Sequence, residues 1–270
     1  MGIMHMQGII DFHAHAFPDE VAASAIPYLE EEGDVTAIHD GRVTSLLNNM
    51  DMHGVEKSVI CSIATRPSQF DAILSWSKQI RSERIIPFPS FHPDDPDTLE
   101  HIGKIRKEGF KGIKMHPYYQ QFFLDDKKLY PAYEKISDLG LILIMHTGFD
   151  IAFPRIRRCD PRQILDVLTD FPKLKMVTTH LGAWQQWDEV EDLLAGRKIY
   201  MDISYTLDQI NPQTARRIIL KHPGEYILFA TDSPWSGPYE TYQYLKALKI
   251  GSEREELILK KNGQVLLESV

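Results

Sequence analysis

The sequence predicts an α/β fold in which parallel strands are joined by crossover helices, and three observations carry that prediction. Short runs rich in branched apolar residues alternate with longer amphipathic runs from end to end. The run Leu141 to His146 is apolar until its last residue, as a strand covered on both sides reads. Eight such strand and helix units fit in 270 residues, close to the roughly 250 of a single (β/α)8 TIM barrel. With no linker or low-complexity stretch in between, residues 1–270 are expected to form one domain of this kind, with extra helices at the C-terminal end.

Strand one is the apolar run Gly8-Ile9-Ile10 leading into Asp11-Phe12-His13-Ala14-His15. Residues 16–40 carry Pro18, Pro27, Gly33 and the acidic Glu30-Glu31-Glu32, so they read as an extended loop with a short helix. Val43, Leu46, Leu47 and Met50 have helical spacing, and Gly54 ends that helix. Ser58 to Ile63 is strand two, and a helix over 69–82 leads to strand three, Ile85 to His92, which Pro87 and Pro89 make irregular. A helix from Asp97 to Glu108 precedes strand four, Gly112 to His116. A helix over 127–139 precedes strand five, and a long loop from Phe149 to Asp160 precedes a helix opened by Pro161. Strand six runs from Lys175 to His180. The helix at 187–195 precedes strand seven, Ile199 to Ser204, and the helix at 212–221 precedes strand eight, Tyr226 to Asp232. Two closing helices span 238–248 and 252–267.

A net charge of −8 argues against nucleic acid or an anionic membrane surface as a partner. No stretch has the unbroken apolar length of a membrane span, and the N-terminus lacks a basic and apolar leader pattern, so a cytoplasmic protein is expected. Cys61 lies in a strand pattern and Cys159 in an Arg-rich loop, which implies no disulfide framework. His5 belongs to a loose leading segment and is given no role. A homodimer is the base-rate expectation for oligomeric state.

In such a barrel the C-terminal strand ends form the working face. Here His13 and His15 close strand one, His92 strand three, His116 strand four, His146 strand five, His180 strand six and Asp232 strand eight. Period-two counting puts Ile142, Ile144 and His146 on one face, then Met176, Thr178 and His180, then Leu228, Ala230 and Asp232, and these faces are expected to line the lumen. Three imidazoles and a carboxylate suit one divalent transition ion, most naturally zinc, with manganese or iron accepted by the same donors, and leave a position open for water.

The segments Asp11-Phe12-His13-Ala14-His15, Met145-His146-Thr147-Gly148, Thr179-His180-Leu181-Gly182 and Ala230-Thr231-Asp232-Ser233-Pro234 together resemble the amidohydrolase superfamily. Their order and spacing resemble the branch that includes aminocarboxymuconate-semialdehyde decarboxylase and many metal-dependent hydrolases, and the likeness runs over almost the whole chain. The resemblance implies that His13, His15, His146 and Asp232 bind one metal ion, while His180 either ligates it or hydrogen-bonds to water or substrate. In binuclear members a modified lysine on strand four bridges two metals. Lys114 lies in that strand on the face of His116, but one metal is the expectation, because an unmodified ammonium repels a cation.

The expected chemistry is hydrolysis of a small cyclic ester, amide or related metabolite, with Asp232 shuttling a proton and His180 steadying charge on the carbonyl oxygen. The alternative is nonoxidative decarboxylation of an aromatic or unsaturated acid at the same residues. A noncatalytic barrel is disfavoured by the full set of expected ligands. Substrate contacts are expected from Arg155 and Arg157, with Arg158 beside them in the long loop, as an anion clamp or as a solvated basic tip. His116 is expected to line the pocket. Trp184 and Trp235, with Trp187, either wall the substrate or pack the rim, and Tyr118 and Tyr119 carry the same two readings. Asp11 is read as a buried brace and Asp202 as a brace or site contact. His39, His53, His101 and His222 are read as bland.

Overall fold

The structure is a computed structural model and describes residues 8–270. His5 lies outside them. In chain order the elements are β1 (Ile9–Ala14), α1 (Asp19–Gly33), α2 (Val43–His53), β2 (Val55–Cys61), α3 (Phe70–Ile80), β3 (Ile85–Phe88), α4 (Thr98–Lys107), β4 (Gly112–Met115), α5 (Tyr130–Asp138), β5 (Ile142–Met145) and α6 (Pro161–Asp170). They continue with β6 (Lys175–Thr178), α7 (Trp187–Leu193), β7 (Tyr200–Asp202), α8 (Pro212–Lys221), β8 (Ile227–Leu228), α9 (Pro238–Ala247), α10 (Ser252–Glu256), a π-helical turn (Leu257–Lys261) and α11 (Asn262–Glu268).

Strands β1 to β3 and β4 to β8 pair in parallel in sequence order. Backbone bonds join the two groups. Lys114 N donates to Pro89 O at 3.0 Å on one side, and Phe12 N donates to Phe229 O at 2.9 Å on the other. β3 ends at Phe88 because Pro87 and Pro89 have no N–H to give its ladder. This is the eight-stranded barrel that the alternation predicts.

Inside it Ile10, Phe12, Val59, Cys61, Phe88, Ile142, Ile144, Val177, Leu228 and Ala230 form one apolar cluster, which Leu266 and Leu267 of α11 complete from below. A larger cluster fills the layer between strands and helices. Gly112 is needed here: any Cβ would strike the Phe88 ring. Lys111 and Lys175 cap the carbonyls of Leu267, Val270 and Ser269 at the end of α11, which holds that helix across the barrel's N-terminal mouth.

Two local differences from the expected pattern matter for the site. Residues 19–33 form a 15-residue helix, where a loop with a short helix is expected. Pro27 is accommodated inside it, and its apolar residues fall in two stripes that blur the helical period. On β6 it is Val177 that joins the lumen cluster, so Met176 and Thr178 face outward and the expected lumen face is off by one. His180 still reaches the lumen because the strand has ended and the backbone turns, with φ +59° at His180 and +55° at Leu181.

Candidate active site

Each strand delivers its polar residue by its own local device. On β1 the pairing shifts between Asp11 and Ala14, a bulge that turns His13 inward immediately after the lumen-facing Phe12. The Asp11 carboxylate braces this turn against β8, accepting from His13 N at 3.2 Å, Thr231 N at 3.0 Å and Thr231 Oγ1 at 2.6 Å. Burial nevertheless pushes Asp11 up to about 7, outweighing those bonds. Beyond β8 Asp232 sits at φ +65°, a left-handed conformation that costs energy in a non-glycine residue and is held here by Asp232 N donating to His13 O at 2.8 Å. Between β5 and β6 the loops are laced by Trp184 N to Thr147 O at 2.9 Å and Phe149 N to Trp184 O at 3.0 Å. Gly148, at φ +86°, is required there, since a Cβ would collide with the Trp184 backbone.

These devices bring His13, His15 and Asp232 together: Asp232 Oδ1 lies 3.3 Å from His13 Nε2 and 3.0 Å from His15 Nε2. The far nitrogens are pinned. His15 Nδ1 donates to Cys61 O at 2.8 Å, and His13 Nδ1 faces Asp202 Oδ2 at 3.1 Å and Ser204 Oγ at 3.1 Å. A carbonyl only accepts, and so does a carboxylate, so in a neutral ring the proton sits on Nδ1 and Nε2 keeps its lone pair for the centre. Burial, helped by the Lys114 ammonium, pulls His13 down to about 4, which keeps it neutral. Burial would raise Asp232, but positive charge at His13 and His15, when those rings are protonated, outweighs it and holds the carboxyl well below its usual range. The bent Asp202 carboxylate also accepts from His180 N, Ser204 N and Ser204 Oγ, so it orients His13 and does not face the cavity.

His146 stands in a neighbouring group with His116 and Asp150. Its Nε2 approaches Phe149 O at 3.0 Å and Asp150 Oδ2 at 3.6 Å, while its Nδ1 meets His180 Nε2 at 3.1 Å. His180 Nδ1 is itself committed to Ser204 O at 2.9 Å. Burial, reinforced by the nearby His116, drives His146 well below the ordinary imidazole range, so the ring is neutral with its one proton on the carbonyl-facing Nε2. In neutral rings two lone pairs then confront each other across 3.1 Å, an arrangement that a cation between them relieves. His116 Nε2 lies 3.2 Å from Asp150 Oδ2, and its ring stacks on His146 with centroids 4.0 Å apart.

The donor set fits a divalent ion. It offers imidazole nitrogens, each turned by a hydrogen bond at the other ring nitrogen, and an ionised carboxylate. The His13 Nε2 lone pair accepts from Lys114 Nζ at 3.0 Å, so the lysine must draw back for an ion to take that nitrogen.

These residues floor a cavity of about 500 Å³. His116, Trp184 and Trp235 line it, as do Lys114 and Tyr119. The structure does not bring Arg155 or Arg157 there. Arg157 is paired with Asp160 and Glu189 at 2.8 and 2.6 Å, and Arg155 donates to Gln185 at 2.6 Å and lies over the Phe149 ring. Arg158 covers the rings of Tyr118 and Phe123. Trp187 donates to His180 O at 3.0 Å and packs the rim, and His92 is absent from the lining. His39, read as bland, donates from Nε2 to Ser233 Oγ at 2.8 Å beside Asp232. Sequence reading also passed over Asp150 and Ser204, whose only signal is their place just beyond a strand end.

The family model for amidohydrolases matches residues 10–263. The chain belongs to the amidohydrolase family. An uncharacterised TIM-barrel protein from Bordetella bronchiseptica superposes with TM-score 0.77 at 21% identity, covering 97% of this chain and 98% of that one. A dihydroxybenzoic acid decarboxylase from Polaromonas sp. JS666, solved with bound manganese and 2-nitroresorcinol, gives 0.68 at 15% identity, with 97% of each chain covered. A putative 2-pyrone-4,6-dicarboxylic acid hydrolase from Pseudomonas putida gives 0.66 at 14%, covering 98% of this chain and 99% of that one. No curated protein matches the sequence. This family member is thus an enzyme with the TIM-barrel fold, and its solved likenesses include a decarboxylase and a putative hydrolase. Among the described residues no helix is long and apolar enough to cross a membrane.

Proposed function

We propose that residues 1–270 act as one cytoplasmic catalytic domain that hydrolyses a small cyclic ester, amide or related metabolite with the help of one divalent metal ion, zinc by preference. His13, His15 and Asp232 hold the ion, with His146 as the fourth donor. The observation that carries this reading is the convergence of His13 Nε2 and His15 Nε2 on Asp232 Oδ1, at 3.3 and 3.0 Å, with each imidazole fixed from behind. Bound there, a divalent ion supplies Lewis acidity toward a carbonyl oxygen and makes water acidic enough to attack near neutral pH.

The chain's own residues do the rest. The ionised Asp232 carboxylate accepts the attacking water's proton and returns it to the departing oxygen or nitrogen. His180, anchored through Nδ1 to Ser204 O, turns its Nε2 to the cavity and steadies charge on the carbonyl oxygen once that nitrogen has taken up a proton and can donate. Tyr119, Trp184 and Trp235 wall the cavity and limit water's access to the reacting end.

The second reading is nonoxidative decarboxylation of an aromatic or unsaturated acid, favoured by one observation: Lys114 Nζ stands inside the cavity as a counter-charge for a carboxylate. In that case Asp232 first takes a proton from water and passes it to the carbon, which keeps the electron pair of the broken carbon–carboxylate bond as carbon dioxide leaves. A panel of lactones, esters, amides and unsaturated acids decides between them, through stoichiometric acid from an ester or lactone or free amine from an amide for the hydrolase, and carbon dioxide release for the decarboxylase. Asp232→Ala is expected to lower turnover by about 10³-fold or more while much of the metal stays bound, and a variant with full activity would remove Asp232 from the mechanism.

A further inference from the structure

The cavity has a second half that the reaction does not use. Val21, Ala25 and Leu29 recur at helical spacing along α1 and line it, while the next stripe of that helix, Ala22 and Ile26, is buried in the body of the protein. On the opposite side Ile73 and Trp76 of α3 line it, while Phe70, Leu74 and Ser77 of the same helix are buried. Each helix therefore has two apolar stripes, one satisfied by packing and one turned to the cavity. Val21 is 46% exposed and Ile151, across the mouth, 47%. Apolar surface held open to water is unfavourable unless something covers it, and here it continues without a break into the floor of histidines.

Charge sharpens the picture. Among the described residues no arginine lines the cavity, and Lys114 is its one lysine, down among the histidines. A second carboxylate on a substrate would be desolvated in the apolar half with no cation to meet it. Size adds a bound: a cavity of about 150 Å³ with aliphatic walls admits benzene, and this one holds about 500 Å³.

We infer that the substrate is a neutral or singly charged acyl compound with a large apolar body, an aryl group or an alkyl chain, seated between the Val21–Leu29 stripe of α1 and the Ile73–Trp76 stripe of α3. This rests on the reading of His13, His15 and Asp232 as the reacting end. It sets the chain apart from enzymes of dicarboxylates, which need a second cationic contact.

A binding ladder tests it without relying on turnover. Butanoate, hexanoate, octanoate and octanedioate are titrated into the metal-loaded full-length protein, followed by tryptophan fluorescence, since Trp76, Trp184 and Trp235 all line the cavity. Kd is expected to fall about fourfold per added methylene, and octanedioate to bind more weakly than octanoate. Ile73→Asp and Val21→Asp, one on each wall, are each expected to weaken octanoate about tenfold and leave butanoate unchanged. A flat ladder, tighter octanedioate, or no saturable binding of octanoate overturns the inference. A steep ladder with no turnover of any ester, lactone, amide or acid removes the proposed reaction and keeps the apolar substrate, whereas turnover of short polar compounds with a flat ladder does the reverse.

Discussion

The same eight strands end in opposite ways at the two mouths of the barrel. At the N-terminal mouth Ile10 and Phe12 meet Gly263, Leu266 and Leu267, and the opening is sealed by close packing. At the C-terminal mouth the residues just beyond the strands are histidines and carboxylates, two of them at strained positive φ, around an open cavity. One end therefore holds the fold and the other spends some of that stability on keeping unshielded nitrogens and an ionised carboxylate in place. Stability and activity should separate along the barrel axis.

The largest expected effect lies at the open end. Asp232→Ala should remove turnover while leaving the thermal midpoint near that of the unaltered protein, because it deletes no apolar packing and keeps the backbone bond from its N–H to His13 O. A large loss of stability in this variant would make Asp232 a structural residue and break the comparison. The reverse is expected at the sealed end. Leu266→Ala should cost about 2–5 kcal/mol of stability in urea unfolding, with activity per folded molecule retained.

Asp202→Asn addresses how the open end holds its imidazoles. Its amide would donate to His13 Nδ1, shift that ring's proton to Nε2 and block the donor atom, so metal affinity should drop about 10- to 100-fold with little change in unfolding. Unchanged affinity would leave Asp202 as a brace only.

The smallest effect concerns pH at the lower end. His222 is lowered from the ordinary histidine value by burial, with Arg254 nearby, and it donates from Nε2 to Ile199 O at 2.8 Å. Below about pH 6.5 the unfolded chain takes up a proton that the folded one refuses. Stability should therefore fall as pH drops from 7.5 to 5.5, and His222→Gln should make that fall shallower; an identical slope would show that the buried histidines of the open end set it.

The sealed end was legible in the sequence because its signals are local: apolar runs of strand length, helix stops at Gly54 and Gly140, and a last amphipathic segment. The polar strand tips were legible for the same reason. What the sequence hid depends on backbone turns and on direction in space. The bulge after Asp11 and the left-handed turn at His180 change which face a residue takes, and period-two counting has no access to either. Helix α1 was obscured because an apolar stripe reserved for a cavity looks like broken periodicity. Arg155 and Arg157 show the limit of reading loops by position, for their partners Gln185 and Glu189 come from a different loop and helix.

Metal content tests the single-ion site most directly. Protein purified without chelator, and again after reconstitution with zinc or manganese, should carry about one ion per chain, and His13→Ala should carry close to none. No ion after reconstitution would contradict the proposed site outright, and two ions per chain, the second lost with His116→Ala, would contradict a single-ion mechanism.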